Sequence, residues 1–155
     1  MLFSIVWNVF LLSILIPIAV SVKVDFQKCG GDVKEVRISG CIEDNIPCIV
    51  SRENKAKLEF DFKAPFDSDY VYIDVTSTKS DSMWTRFMPL LGTFERNACN
   101  NHGIACPIKN NKLYTYNYSM YLDRNLPVHK GEYQIKLTSF WGYPIACFTI
   151  PIELK

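Results

Sequence analysis

Apolar and polar side chains alternate with a period of two along most of the chain beyond residue 30, the pattern of strands with one buried face. Lys57-Leu58-Glu59-Phe60-Asp61-Phe62-Lys63 places Leu58, Phe60 and Phe62 on one side, and Tyr70-Val71-Tyr72-Ile73-Asp74-Val75 does the same with Val71, Ile73 and Val75. Val33–Ile38 is a weaker strand candidate, followed by a turn from Cys41 to Cys48 and a short Cys48-Ile49-Val50 run. Later, Tyr133–Leu137 alternates again and Gly142-Tyr143-Pro144 makes a turn. Phe148, Ile150, Ile152 and Leu154 form the buried side of a closing strand. Sustained helical spacing of apolar residues is missing. Short strands separated by Pro, Gly, Asn and Asp clusters predict an all-β, antiparallel sandwich rather than a βαβ fold.

The N-terminus departs from this pattern. Met1–Val22 carries no charged side chain, and Phe10–Val20 reads as the apolar region of a secretory signal. Ala19 and Ser21 are small residues at the positions a signal peptidase reads, so cleavage is expected after Ser21, with residues 1–21 as signal and 22–155 as the mature domain. An uncleaved anchor is the competing reading, since the stretch is long enough to span a bilayer and lacks a basic leader. Pro17 and the Ala-x-Ser step favour removal. The expected destination is extracellular, with sorting to a lysosome as the other endpoint.

Composition narrows the function. The 155 residues are 48% hydrophobic, enough for one globular domain, and 17 Lys+Arg against 16 Asp+Glu give a net charge of +1. No overall field exists to hold nucleic acid. All six cysteines lie after the expected cut, and an even number in an exported domain implies disulfides. Spacing selects among the pairings: Cys41 with Cys48 and Cys99 with Cys106 each close a short turn-rich segment, leaving Cys29 for Cys147. That last bond closes the longest loop, where chain-entropy models give about 4–5 kcal/mol. The same pairing argues against zinc at Cys99–Cys106, because oxidised thiols are not ligands.

Catalysis finds little support. His102 falls inside a cysteine loop and His129 in a turn, both read as solvated, and neither neighbours a nucleophile elbow or a phosphate loop. Carboxylates are scattered singly along strand faces. A binding protein without cofactor or metal is expected.

Asn117-Tyr118-Ser119 is a glycosylation acceptor in an exported chain, and a glycan at Asn117 points to solvent. Strand alternation then turns Tyr114, Tyr116, Tyr118 and Met120 inward. Buried tyrosine hydroxyls need partners, which suits the wall of a cavity whose ligand has one polar end, or a two-sheet core with hydroxyls reaching its rim.

The motifs themselves resemble the ML lipid-recognition family (MD-2-related), in particular its Niemann-Pick type C2 sterol-carrier branch. The matching pieces include Asp25-Phe26-Gln27-Lys28-Cys29-Gly30, Val33–Ile38 leading to Cys41, Pro47-Cys48, and Gly103-Ile104-Ala105-Cys106-Pro107-Ile108. Tyr114-Thr115-Tyr116, Leu126-Pro127-Val128, Glu132-Tyr133, Trp141, and Cys147 followed by Ile150-Pro151-Ile152 continue the match in order. The resemblance implies an immunoglobulin-like sandwich holding a sterol or other lipid between its sheets. It also implies the cysteine pairs given above. Sterol-contacting positions carry over onto Pro127, Val128, Tyr133 and Trp141, with Tyr116 joining the lining. The apolar segment Trp84–Leu91 stands where the family places its mouth, so Trp84, Phe87, Leu90 and Leu91 are further lipid-contact candidates. Bulkier residues there, an extra residue between Val128 and Tyr133 and a shorter final hairpin reshape the entrance.

Two functions follow as expectations. One is a monomeric lipid carrier that meets a membrane or receptor transiently to transfer its cargo. The other is an immune accessory protein that presents bacterial glycolipid, with Arg86, Arg96, Lys109, Lys112, Arg124 and Lys130 meeting its phosphates.

Overall fold

Each alternating segment becomes a strand in the computed structural model, which describes residues 21–41, 47–80, 95–126 and 128–155, the side chains of 78–80 excepted. The strands are β1 (Ser21–Lys23), β2 (Gln27–Ser39), β3 (Cys48–Val50), β4 (Lys55–Lys63), β5 (Val71–Ser80), β6 (Leu113–Tyr121), β7 (His129–Ser139) and β8 (Pro144–Leu154). The expected signal segment lies outside the described residues except for Ser21, which opens β1 opposite Ser39. The weak candidate Val33–Ile38 belongs to the longest strand, β2.

Strand order runs β5-β7-β8-β2-β4-β6, with β1 beside β2 and β3 beside β8. The path curls into two facing sheets because β2 serves both: Gln27–Gly31 pair with β8 and Asp32–Ser39 with β4. Pairing is antiparallel throughout except for β3, which runs parallel to β8 from Cys48↔Ile152 to Val50↔Leu154. Alternate residues fill the space between the sheets. Phe60 packs its ring on Phe148 across the gap at 4.9 Å and on Tyr116 beside it at 5.1 Å. The start of β8 is buried on both faces, Ile145 through Phe148, and not on one side as the alternation implied.

The pairs Cys29–Cys147, Cys41–Cys48 and Cys99–Cys106 are formed. Cys29–Cys147 sits where β2 bends from one sheet into the other. Gly31 makes that bend with φ +68°, and a Cβ there would lie 2.2 Å from the Ile145 carbonyl oxygen. Only glycine takes the left-handed backbone and the close approach together.

The outer face of the β1-β2-β4-β6 sheet carries a polar ladder. Lys23 Nζ reaches Glu35 at 2.6 Å, and Glu35 takes Arg37 at 2.7 Å. Arg37 then forks onto Asp61 at 2.7 and 3.1 Å, and Thr115 donates to Asp61 at 2.6 Å. Two-point guanidinium–carboxylate geometry on half-buried groups makes this stronger than an ordinary surface ion pair. The Arg37 guanidinium, helped by the Thr115 hydroxyl, holds the Asp61 carboxyl below its ordinary 3.8.

Three substitutions test this frame. A folded pKa below the unfolded one contributes stability that is complete above pH 3.8 and lost as pH falls through the lowered folded value. Asp61→Asn removes this slope from a plot of denaturant midpoint against pH and costs about 1.5–3 kcal/mol at neutral pH. Gly142, at the β7–β8 turn, also has positive φ (+81°) but open space around its Cβ position. Gly142→Ala therefore costs about 1–2 kcal/mol in thermal or urea unfolding, and Gly31→Ala, which adds the backbone collision, costs about 1–3 kcal/mol more.

Candidate functional site

The inner faces meet tightly in the middle of the sandwich and leave a cavity of about 100 Å³ toward the end where β4 and β7 begin. Ile38 of β2, Val50 of β3, Leu58 of β4 and Val75 of β5 form part of its wall. Tyr118 and Met120 of β6, Tyr133 and Ile135 of β7, and Ile150 and Leu154 of β8 form much of the remainder. Among the lining residues only Lys57, Tyr118, His129 and Tyr133 carry side-chain nitrogen or oxygen.

The polar pole of this space is built on β7. Counting back from Tyr133 in steps of two, Gly131 and His129 fall on the same inward face as Ile135 and Leu137. His129 is 8% exposed and Tyr133 1%, and Tyr133 Oη hydrogen-bonds His129 Nε2. Burial pushes the Tyr133 phenol up to about 12, so it remains a neutral hydroxyl across the physiological range. Ser77, the cross-strand neighbour of Tyr133, has a buried hydroxyl without a hydrogen-bond partner among the described residues.

One edge of the sandwich is a continuous strand, β2, and the opposite edge is a seam between β5 and β6, which do not pair. Segment 95–108 closes the seam over part of its length. Ile73 N–H donates to the Arg96 carbonyl and Ala98 N–H to the Val71 carbonyl, each at 2.8 Å, along β5. Asn117 N–H then donates to the His102 carbonyl at 2.8 Å along β6. Toward the cavity, Thr76–Ser80 of β5 and Tyr118–Tyr121 of β6 lie beyond this cover. The end itself is knotted by Arg52, whose Nη1 donates to the Arg124 and Leu126 carbonyls at 3.0 and 3.1 Å.

The structure brings some expected contact residues together and separates others. Tyr133 lines the cavity. Tyr116 is fully buried behind it, against Phe60 and His102, with a hydroxyl that has no hydrogen-bond partner among the described residues, while its neighbour Tyr118 reaches the lining. Val128 stands 58% exposed at the cavity end, just before His129. Trp141 is 80% exposed on the β7–β8 hairpin, at the far end of β7; that strand is about 33 Å long at a strand's rise per residue. The hairpin is too short to fold the indole back over the sheet. Trp84, Phe87, Leu90, Leu91, Arg86 and Pro127 lie outside the described residues.

Both histidines, expected in solvent, are buried. His102 is 7% exposed, its ring set against Tyr116 and Tyr118, and its Nε2 lies 3.6 Å from Glu95. Asn117 is on the outward face but half-buried, because Gly103 passes over it: a Cβ on Gly103 would meet Asn117 Nδ2 at 2.4 Å. Of the cations expected to meet phosphates, Arg96 is paired with Asp74, Lys109 with Asp67 and Arg124 with Glu53. Lys112 lies over the Tyr114 ring, and Lys130 is exposed.

Residues 23–154 match the ML domain (E1_DerP2_DerF2). The chain belongs to the ML family. The crystal structure of a Niemann-Pick type C2 protein from Japanese carpenter ant superimposes with a TM-score of 0.74 over 85% of this chain and 100% of that one, at 20% identity. At that identity the likeness speaks for the fold, the immunoglobulin-like sandwich that the family resemblance implied. No curated protein matches the chain. Membership in this lipid-recognition family agrees with an apolar space between the sheets.

Within that ML cavity the Tyr133–His129 pair is testable by itself. Tyr133→Phe removes the buried phenol partner of His129 and is expected to lower unfolding free energy by about 1–3 kcal/mol. Adding His129→Leu, so that both partners are apolar, recovers most of that loss. A double-mutant cycle with strictly additive losses would show that the two side chains do not interact.

Proposed function

We propose that this ML protein is an exported carrier that sequesters one sterol-like lipid between its sheets, without covalent chemistry. The supporting observation is the cavity itself: seven strands line it with mainly apolar side chains, and Tyr133 and His129 form a hydrogen-bonded polar pair in its wall. An elongated apolar ligand with one hydroxyl matches that division. Its body gains about 25 cal/mol per Å² removed from water, and its hydroxyl meets Tyr133, His129 and Ser77.

The cavity of about 100 Å³ is smaller than the roughly 300–1,000 Å³ that small-molecule ligands occupy. Uptake therefore widens the space, and the stretch of the β5/β6 seam beyond segment 95–108 is the place to do so. Val128 stands at that end and contacts an entering lipid there. In this reading Pro127, Trp84, Phe87, Leu90 and Leu91 complete the mouth, and transfer takes place by transient contact with a membrane or receptor. The glycolipid reading asks for unengaged cations around the same opening, whereas Arg124, at that end, is already held by Glu53.

The reading is tested by titrating the purified protein with a fluorescent sterol and with a bacterial glycolipid, and by native mass spectrometry of the loaded chain. One sterol per chain, bound saturably, is expected. Ala56 lines the cavity, and Ala56→Leu, which fills it, should weaken uptake about tenfold, a loss of about 1.4 kcal/mol, with the thermal midpoint held or raised. Sterol binding indifferent to that substitution would move the ligand out of the cavity. Preference for glycolipid, lost on neutralising Lys130, would replace the carrier by the immune reading.

A further inference from the structure

At the end of the sandwich away from the cavity, aromatic side chains face water. Of the seven large hydrophobic residues exposed among the described residues, four gather here: Tyr70 at 54%, Phe140 at 59%, Trp141 at 80% and Tyr143 at 63%. With Phe66 they wall a groove of about 480 Å³ between loop 64–70 and the β7–β8 hairpin. A cluster of exposed apolar rings costs solvation free energy and marks an interaction site more often than chance surface.

The rings are held, not dangling. Ser139 is 5% exposed and fixes the hairpin: its N–H donates to the Tyr143 carbonyl at 2.9 Å, and its hydroxyl accepts from Tyr143 N–H at 3.1 Å. The opposite loop is tied by Ser68, which exchanges backbone hydrogen bonds with Ile108 at 3.1 and 2.9 Å. Asp67 anchors it further by accepting from Asn110 N–H at 2.7 Å and from Lys109 at 3.0 Å. On this frame the ring planes meet at steep angles. Phe66 and Tyr143 stand at 80° with centroids 6.4 Å apart, Phe140 and Trp141 at 87° and 5.1 Å, and Tyr70 and Phe140 at 51° and 6.2 Å. Crossed planes make walls; a packed stack would leave no room between them.

Charge selects the guest. The faces of aromatic rings are electronegative and attract a cation within about 6 Å of their centroids. Asp69 lines the same groove and makes no ion pair or hydrogen bond among the described residues. An anion meets repulsion from both. A lysine-like ammonium would bring three N–H donors into a groove walled by five aromatic rings, where Asp67, Ser68 and Ser139 of the polar lining are already engaged and only Asp69 is left to accept. A quaternary ammonium has no donor to satisfy, sheds water easily and offers methyl groups to the rings. We propose that this groove is a second binding site, specific for a quaternary ammonium group, carried either by a free small cation or by a choline-type lipid head group.

The test uses the purified protein and calorimetric titration with choline, with its neutral tert-butyl analogue, and with phosphatidylcholine and phosphatidylglycerol vesicles. Choline is expected to bind saturably and the neutral analogue about tenfold more weakly or not at all. Trp141→Ala and Asp69→Asn, both on exposed side chains, should each weaken choline about tenfold and leave sterol uptake unchanged. Phosphatidylcholine vesicles that bind and are displaced by choline identify the lipid head group as the source; choline binding without vesicle binding identifies the free cation. Equal affinity for the neutral analogue, unchanged binding in Asp69→Asn, or vesicle binding that choline does not displace would each overturn the proposal.

Discussion

Because β2 hydrogen-bonds to β8 through residues 27–31 and to β4 through residues 32–39, the two sheets cannot part along that side without breaking a continuous strand. Gly31 allows the bend, and Cys29–Cys147 locks the strand to β8 beside it. Cys41–Cys48 adds a second tie, since it brings β3 back to the end of β8 from the end of β2. All freedom to open is thereby pushed to the other side, where β5 and β6 face each other unpaired. The position of the cavity and its narrowness are consequences of that asymmetry.

The two sides of the β1-β2-β4-β6 sheet have different work. Outward, the chain of contacts from Lys23 through Arg37 to Thr115 stiffens the sheet against shear, and water can reach most of its members. Inward, few polar atoms are admitted: the hydroxyl of Tyr116 on β6 is buried without a hydrogen-bond partner among the described residues, and across the gap on β7 Tyr133 and His129 bond each other. A wall stiff on its wet face can border a soft interior, because the restraint does not consume contacts on the inner side.

The strand layout was largely legible, because period-two alternation is a local property and Leu58, Phe60 and Phe62, or Val71, Ile73 and Val75, declare their faces without help. The parallel pairing of β3 was not, since three residues carry too little pattern to name a partner a hundred positions away. The burial of His129 had a signal: carried back from Tyr133, Ile135 and Leu137, the alternation places it inward. A turn former nearby, Pro127, made the position look like a loop. His102 had none, for its cover comes from Tyr116 and Tyr118 on another element. Trp141 was named by motif resemblance, and motifs do not report how far a hairpin reaches; with few residues between Ser139 and Pro144, the indole stays outside.

Segment 95–108 closes part of the seam, but its hydrogen bonds have another consequence. By offering the Arg96 and His102 carbonyls to Ile73 and Asn117, it occupies edge groups of β5 and β6 that would otherwise template pairing with a second chain. Cys99–Cys106 keeps the second half of this cover folded. In a reducing compartment the segment loses that restraint, and the edge groups it releases become templates for pairing with a second chain. Oxidative folding thus guards solubility here as much as it guards the fold.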